Sequence, residues 1–254
     1  MTRAFLSGMW IHVVMFSRNP FDLSGVVLWP IIYASIAYYL LDSKDNPRLL
    51  LAASLGAAVM LMWSLVVIGS SNALENQRWL GTLELLVAAP VPFAAVIAPI
   101  TVASGFVGAY ALLATLAWGT LLFHVPLAID HPLAFAVAVP ACVLAIGMLG
   151  LVMASTFVLY RAAFSLGISL QYPVWIATGL LVPLSVLPPF VRKIGWFLGP
   201  YWGFRGIREA TLGSAPWPYI GMSVAISIAY VAIGSICLHY FERVARSTGS
   251  LKLT

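Results

Sequence analysis

Long apolar segments alternate with short polar ones along the whole chain. Each apolar segment approaches or exceeds the roughly 20 residues that a helix needs to cross the hydrocarbon core of a bilayer. The longest follows Glu84, and Pro90, Pro92 and Pro99 interrupt helix propagation near its start, so only its later part is expected to span. The pattern therefore predicts an all-α membrane protein with six membrane-spanning helices, at residues 23–41, 49–71, 93–123, 132–159, 163–187 and 217–241.

Two other segments have patterns that do not fit a span. Residues 1–21 are apolar at helical spacing but too short to cross, which predicts an N-terminal helix lying in the membrane interface; a frayed tail is the alternative. Residues 189–213 mix prolines, aromatic rings and basic side chains, which predicts two short re-entrant helices before the last span. The residues singled out in this region are Pro188, Pro189, Pro200, Arg205 and Arg208.

Composition and charge agree with a membrane protein built as a single domain over residues 1–254. The chain is 62% hydrophobic, against about 45–50% apolar residues in soluble domains. Its net charge of +5 suits contact with anionic lipid, and no basic cluster is dense enough to predict nucleic-acid binding. Lysine and arginine are shared almost equally between the two predicted sides, so they do not decide the orientation. The first residues lack the order of a cleaved signal peptide.

Catalytic chemistry is not predicted for this chain. There is no phosphate-binding loop motif, no carboxylate pair placed for acid–base work, and no histidine or cysteine at metal-ligand spacing. The cores of the six predicted spans also lack ionisable side chains, which proton- and sodium-coupled carriers usually need. If the protein transports, its energy is therefore expected to come from another subunit.

One segment breaks the apolar pattern, residues 72–90, which contain the stretch ENQRWLGTLELLVAAPVP from Glu75 onwards. Drawn as a helix over 75–87, it places Trp79 and Leu83 on one side and Gly81 and Glu84 on the other. The segment is therefore predicted to be an amphipathic helix at the membrane surface. Its charged face would meet either water, as an interfacial linker, or a partner protein.

The same stretch resembles the Glu-x-x-x-Gly-Thr-Leu-Glu-x-Leu-x-x-x-Pro pattern of ATP-binding-cassette exporter permeases of the second type. The directly matching positions are Gly81, Thr82, Leu83, Glu84, Leu86 and Pro90, whereas Glu75 is slightly displaced. A second stretch, from Leu187 to Tyr201 and on to Arg208, is similar to the pattern that precedes the last span in this family.

The resemblance implies a half-transporter in the inner cell membrane of a bacterial or archaeal cell, with both termini cytoplasmic and the re-entrant helices outside. A second permease chain, identical or sister, would pair with it, and ATPase subunits carrying ATP and Mg would dock beneath. Residues 72–90 would be the cytoplasmic coupling helix. Its predicted contact residues are Glu75, Arg78, Gly81, Thr82, Leu83, Glu84 and Leu86.

The family form of the motif implies export of a hydrophobic or amphipathic compound, such as a drug, an antibiotic or a lipid, and so a link to multidrug resistance. Trp63, Tyr172 and Trp175 are aromatic candidates for the lining of the path, with ordinary packing or contact with lipid as the alternative for each. An exporter of polysaccharide or teichoic acid is the second interpretation. An ATP-independent channel or carrier and a membrane scaffold are the interpretations from other classes.

Overall fold

A computed structural model describes residues 2–18, 20–41, 47–79, 81, 93–124, 129–157, 163–181, 184, 186–213 and 215–248. All regular secondary structure within these ranges is α-helical. The helices are α1 (Thr2–Arg18), α2 (Pro20–Leu41), α3 (Pro47–Trp79), α4 (Phe93–Phe123), α5 (Pro132–Phe157), α6 (Ala163–Ala177), α7 (Pro189–Trp196), α8 (Gly199–Leu212) and α9 (Trp217–Thr248). The predicted all-α membrane fold is confirmed.

Four of the described helices are long and apolar enough to cross a bilayer. Their spanning stretches are Arg48–Gly69 in α3, Ile97–Phe123 in α4, Pro132–Ser155 in α5 and Trp217–Tyr240 in α9. The apolar stretch found in α2 is shorter, Val27–Tyr39. Helix α6 has 15 residues, and its length of about 22 Å is less than the roughly 30 Å of a hydrocarbon core. The count of six spans therefore stays a prediction.

Helix α3 forms the centre of the bundle. Its spanning stretch is 78% buried, and it contacts α2, α4, α5, α6 and α8. Two of its buried hydroxyl groups bond within the helix, since Ser54 and Ser64 donate to the carbonyls of Leu50 and Met60. This matters in a membrane because lipid offers no hydrogen-bond partner to a polar group. Close packing, rather than exclusion of water, holds such helices together.

The predicted fifth span, residues 163–187, is not one helix over its whole length. Helix α6 was expected to run to residue 187, but it ends at Ala177. Gly179 has a φ of +77°, and its N–H donates to the carbonyl of Ile176 while the N–H of Leu180 donates to Trp175. This is the hydrogen-bond pattern of a Schellman motif, in which a glycine with positive φ terminates a helix. The apolar run beyond Leu180 is therefore not a continuation of α6.

Candidate functional site

The predicted coupling segment begins as part of the second span. Helix α3 continues without a break through residues 71–79, so the backbone at Glu75 and Arg78 belongs to its last turns. Gly81 follows with a φ of +65°, a left-handed conformation that a right-handed helix does not contain. The sequence predicted a single helix over 75–87. That prediction is wrong at Gly81, because the helix has ended before this residue. Thr82, Leu83, Glu84 and Leu86 lie outside the described residues.

Gly81 itself presents an open surface. It is exposed, and a Cβ atom built on it would meet no atom of the described residues within 4 Å. Glycine commonly takes this conformation just after a helix end, where a side chain would raise the backbone energy. The Gly of the Gly-Thr-Leu-Glu motif is thus explained locally as the turn that follows α3.

Helix α1 packs where α3 and α4 approach the same end of the bundle. A Cβ at Gly8 would lie 3.1 Å from Pro99 of α4, and the Ser104 hydroxyl lies 3.3 Å from Nε2 of His12. Ser104 also lies against Gly69, where the spanning stretch of α3 ends. Burial lowers the pKa of His12, which favours the neutral imidazole in this contact. Helix α1 is thus fixed to α4, and Ser104 of α4 connects it with the end of the spanning stretch of α3.

Helices α7 and α8 form a hairpin that enters the bundle and returns. Pro188 caps α7 and Pro189 occupies its first position, where a missing N–H costs no hydrogen bond. At the other end of the hairpin, the carbonyls of Ala210 and Thr211 accept from the N–H groups of His131 and Asp130, beside the start of α5. Helix α8 therefore ends at the same edge of the bundle as the loop before α5.

The turn of the hairpin reaches the middle of the bundle, because glycines allow close approach. A Cβ at Gly199 would lie 2.7 Å from the carbonyl oxygen of Ala145, midway along α5. A Cβ at Gly203, one turn further along α8, would lie 2.9 Å from Cα of Cys142. Spacing small residues one turn apart is a general means of bringing helix backbones into contact in membranes.

A tyrosine in the last span holds the turn of the hairpin. The N–H of Gly199 donates to the Tyr230 hydroxyl at 3.1 Å, and that hydroxyl donates to the carbonyl of Phe197. Tyr230 lies near the middle of the spanning part of α9. One hydroxyl therefore satisfies two backbone groups at the turn, of which the N–H of Gly199 belongs to a buried residue. The sequence interpretation did not identify Tyr230.

Two of the predicted path residues lie together, and one lies in the core. Tyr172 and Trp175 of α6 are in edge-to-face contact at 5.3 Å between ring centroids, and Tyr33 of α2 contacts Trp175 at 6.3 Å. Trp29 continues this group of rings, 6.4 Å from Tyr33. Tyr172 is 56% exposed, whereas Trp175 is buried beneath it.

Trp63 is fully buried among the core side chains and has no surface that a ligand could touch in this conformation. The indole N–H groups of Trp63 and Trp175 have no hydrogen-bond partner in the described part of the chain. An unpaired buried donor costs about 1–3 kcal/mol, so each indole has capacity for a further acceptor.

The remaining predicted residues of the re-entrant region differ in environment. Pro200 is buried in the first turn of α8, and Arg208 is exposed. Arg205 lies against the rings of Tyr201 and Tyr219. No group of three histidine, cysteine, aspartate or glutamate side chains that could hold a metal occurs within the searched, described residues.

Long apolar helices around a central one define a multi-pass membrane protein. The family model of the ABC-2 type transporter matches residues 3–212. The chain therefore belongs to the ABC-2 transporter membrane family, and it is a permease subunit of an ABC transporter. Membership implies association with an ABC ATPase. A search of curated proteins finds no match.

Proposed function

We propose that the chain is the membrane half of an ATP-driven exporter of hydrophobic or amphipathic compounds, and that residues 72–90 transmit movement from its ATPase. The observation that carries the proposal is Gly81 itself, which is exposed and takes a left-handed conformation just after the end of α3. Helix α3 is also the most buried span, at 78%. A displacement at the Gly81 end of this helix would therefore reach most of the bundle as a rigid-body movement.

Helix α1 supports the same surface. Its contacts through Gly8 and His12 to Pro99 and Ser104 tie it to α4, so α1, α3 and α4 would move together when an ATPase closes beneath them. In the proposed assembly two permease chains pair, both termini face the cytoplasm, and the ATPase subunits carry ATP and Mg. The hairpin of α7 and α8 then lies on the outer side.

The aromatic group of α2 and α6 supports an apolar, ring-bearing substrate. Tyr172 is exposed, and the rings of Tyr33 and Trp175 lie behind it. Aromatic pairs in such edge-to-face contact leave ring faces that bind other rings and alkyl chains. The indole N–H of Trp175 is buried behind Tyr172, so the exposed Tyr172 ring is the surface of this group that a substrate would contact. These features favour a hydrophobic or amphipathic compound over a hydrated sugar polymer.

The test introduces a large side chain at Gly81 and, as a control, at another exposed glycine, in the full-length chain coexpressed with its ATPase. Copurification of the ATPase and efflux of a dye are then compared. Gly81→Trp should abolish copurification of the ATPase and efflux of a hydrophobic dye, because an indole would occupy the docking surface. Gly81→Asn is the control for backbone conformation, since asparagine tolerates positive φ. Gly221→Trp is the control for bulk, because a Cβ at Gly221 also meets nothing within 4 Å and lies on α9.

The proposal fails if Gly81→Trp retains the ATPase and its efflux as fully as Gly221→Trp. Efflux that continues after the ATPase gene is deleted would instead establish an ATP-independent channel or carrier. Retention of the ATPase with loss of efflux in Gly81→Trp alone would show that the segment couples movement without providing the affinity for the ATPase.

A further inference from the structure

Arg205 of α8 is held between two tyrosine rings. Its guanidinium carbon lies 5.0 Å from the ring centroid of Tyr201 and 5.5 Å from that of Tyr219, within the range of a cation–π contact. Both rings are fixed by neighbours. The Tyr201 hydroxyl accepts from the indole N–H of Trp196 at 3.1 Å, and Tyr219 stacks on Trp202. The guanidinium therefore has a defined position rather than a mobile one.

The same guanidinium has no counterion among the described residues. No hydrogen bond or ion pair joins it to another residue within the ranges that the structure describes. Glu209 lies one turn further along α8, but its carboxylate lies against the backbone position of Gly213. The two rings lie against the guanidinium group and leave its N–H donors without a partner among the described residues. A guanidinium offers these donors as a planar fork that matches two oxygens of a phosphate.

The position of Arg205 suits a lipid headgroup. Arg205 lies at the middle of α8, and the Tyr219 ring that it contacts belongs to the first turn of α9. Ala210 and Thr211, near the end of α8, bond to the loop before α5 at the edge of the bundle. Trp217, 59% exposed, begins α9 at this edge. Tryptophan and tyrosine concentrate at the level of the headgroups in membrane proteins. Arg208 lies one turn from Arg205 and is exposed, so a second cation is available there.

We propose that Arg205 and Arg208 bind the phosphate of an anionic phospholipid, with Tyr201 and Tyr219 holding Arg205 in place. Two positive charges without a paired carboxylate favour an anionic headgroup over a zwitterionic one. The acyl chains would lie along α9, whose spanning stretch is only 28% buried. That apolar surface favours a lipid, whose acyl chains it can bind, over a soluble phosphate compound, which has no acyl chains.

The experiment measures lipid binding to the full-length chain in detergent by native mass spectrometry, with phosphatidylglycerol and phosphatidylcholine as the two probes. The unmodified chain should bind phosphatidylglycerol more tightly than phosphatidylcholine. Arg205→Gln and Arg208→Gln should each weaken phosphatidylglycerol binding about tenfold, equivalent to about 1.4 kcal/mol, and leave phosphatidylcholine unchanged. Arg205→Lys should be intermediate, because it keeps the charge but loses the fork. Arg48→Gln is the matched control, an exposed arginine at the start of α3.

Three results would overturn the proposal. The first is equal affinity of the unmodified chain for the two lipids, and the second is an unchanged phosphatidylglycerol affinity in Arg205→Gln and Arg208→Gln. The third is displacement of phosphatidylglycerol by an equal concentration of glycerol 1-phosphate, which would identify a soluble phosphate site. Intrinsic tryptophan fluorescence checks the fold. If Arg205→Gln does not fold, Arg205→Lys and Arg208→Gln decide by the same comparison. None of these results depends on the ATPase.

Discussion

Removing one hydroxyl from the last span tests whether Tyr230 holds the turn of the α7–α8 hairpin. Tyr230→Phe keeps the ring and creates no cavity, so its effect isolates the two hydrogen bonds to Gly199 and Phe197. Each contributes about 1 kcal/mol net, so we expect a loss of about 2 kcal/mol in the free energy of unfolding. The N–H of Gly199 dominates this loss because it is buried at the first turn of α8, where no intrahelical acceptor exists.

The measurement is unfolding in mixed micelles by a titration with sodium dodecyl sulfate, followed by tryptophan fluorescence. Trp196 and Trp202 belong to the hairpin and report on its order, since the indole N–H of Trp202 donates to the carbonyl of Trp196 at 2.7 Å. Tyr240→Phe provides the control on the same helix, because Tyr240 is 72% exposed. A difference of less than about 0.5 kcal/mol between the two variants, the usual range for surface substitutions, would refute the role of Tyr230.

Two further predictions follow from close contacts. Gly203→Ala should cost about 1–3 kcal/mol, because the new Cβ meets the backbone of Cys142 and α8 must move from α5, whereas Gly221→Ala, with nothing within 4 Å, should cost less in the same unfolding titration. For His12, burial lowers the pKa from 6.5, so the unfolded state binds more protons and the packing of α1 should weaken as pH falls below about 6.5. Proteolysis of α1 between pH 8 and 5 measures this, and His12→Gln should remove the pH dependence; an unaltered dependence would contradict it.

The sequence best predicted the helices whose ends are marked by a proline or by a polar loop. The third span was expected at 93–123, and α4 has those bounds, since Pro92 precedes it and the polar loop around His124 follows. Prolines likewise marked the start of α7, because Pro189 suits the first position of a helix. In these places the local signal and the tertiary environment agree.

Elements defined by backbone geometry were harder to predict. The sequence predicted a span over 49–71 and a separate coupling helix over 72–90, whereas α3 runs without a break to Trp79, because glutamate, glutamine and arginine are good helix formers even outside the apolar region. Conversely, apolarity extended the fifth span to 187, whereas Gly179 ends α6. The available signal in the sequence was Gly179 with Pro183 four residues later, and a hydropathy profile does not detect such a signal.

The functional groups outside the family motif depend on contacts between distant residues. Tyr230 stands alone in an apolar run, and nothing in the sequence connects it with Gly199. The Tyr219 ring beside Arg205 belongs to a different helix. What the sequence did contain was the four-residue spacing of Gly195, Gly199 and Gly203, which is a signal for close helix contact in membranes.

The bond between Gly199 and Tyr230 also has a consequence for biogenesis. The two residues are 31 positions apart, and the tyrosine is synthesised second. Until α9 has entered the bilayer, the turn of the hairpin has no hydroxyl to satisfy its backbone, and lipid supplies no substitute. The hairpin is therefore expected to remain near the aqueous surface and to insert between the helices only after α9 has entered the bilayer. Insertion of α9 would thus be the step that allows the hairpin to pack between the other helices.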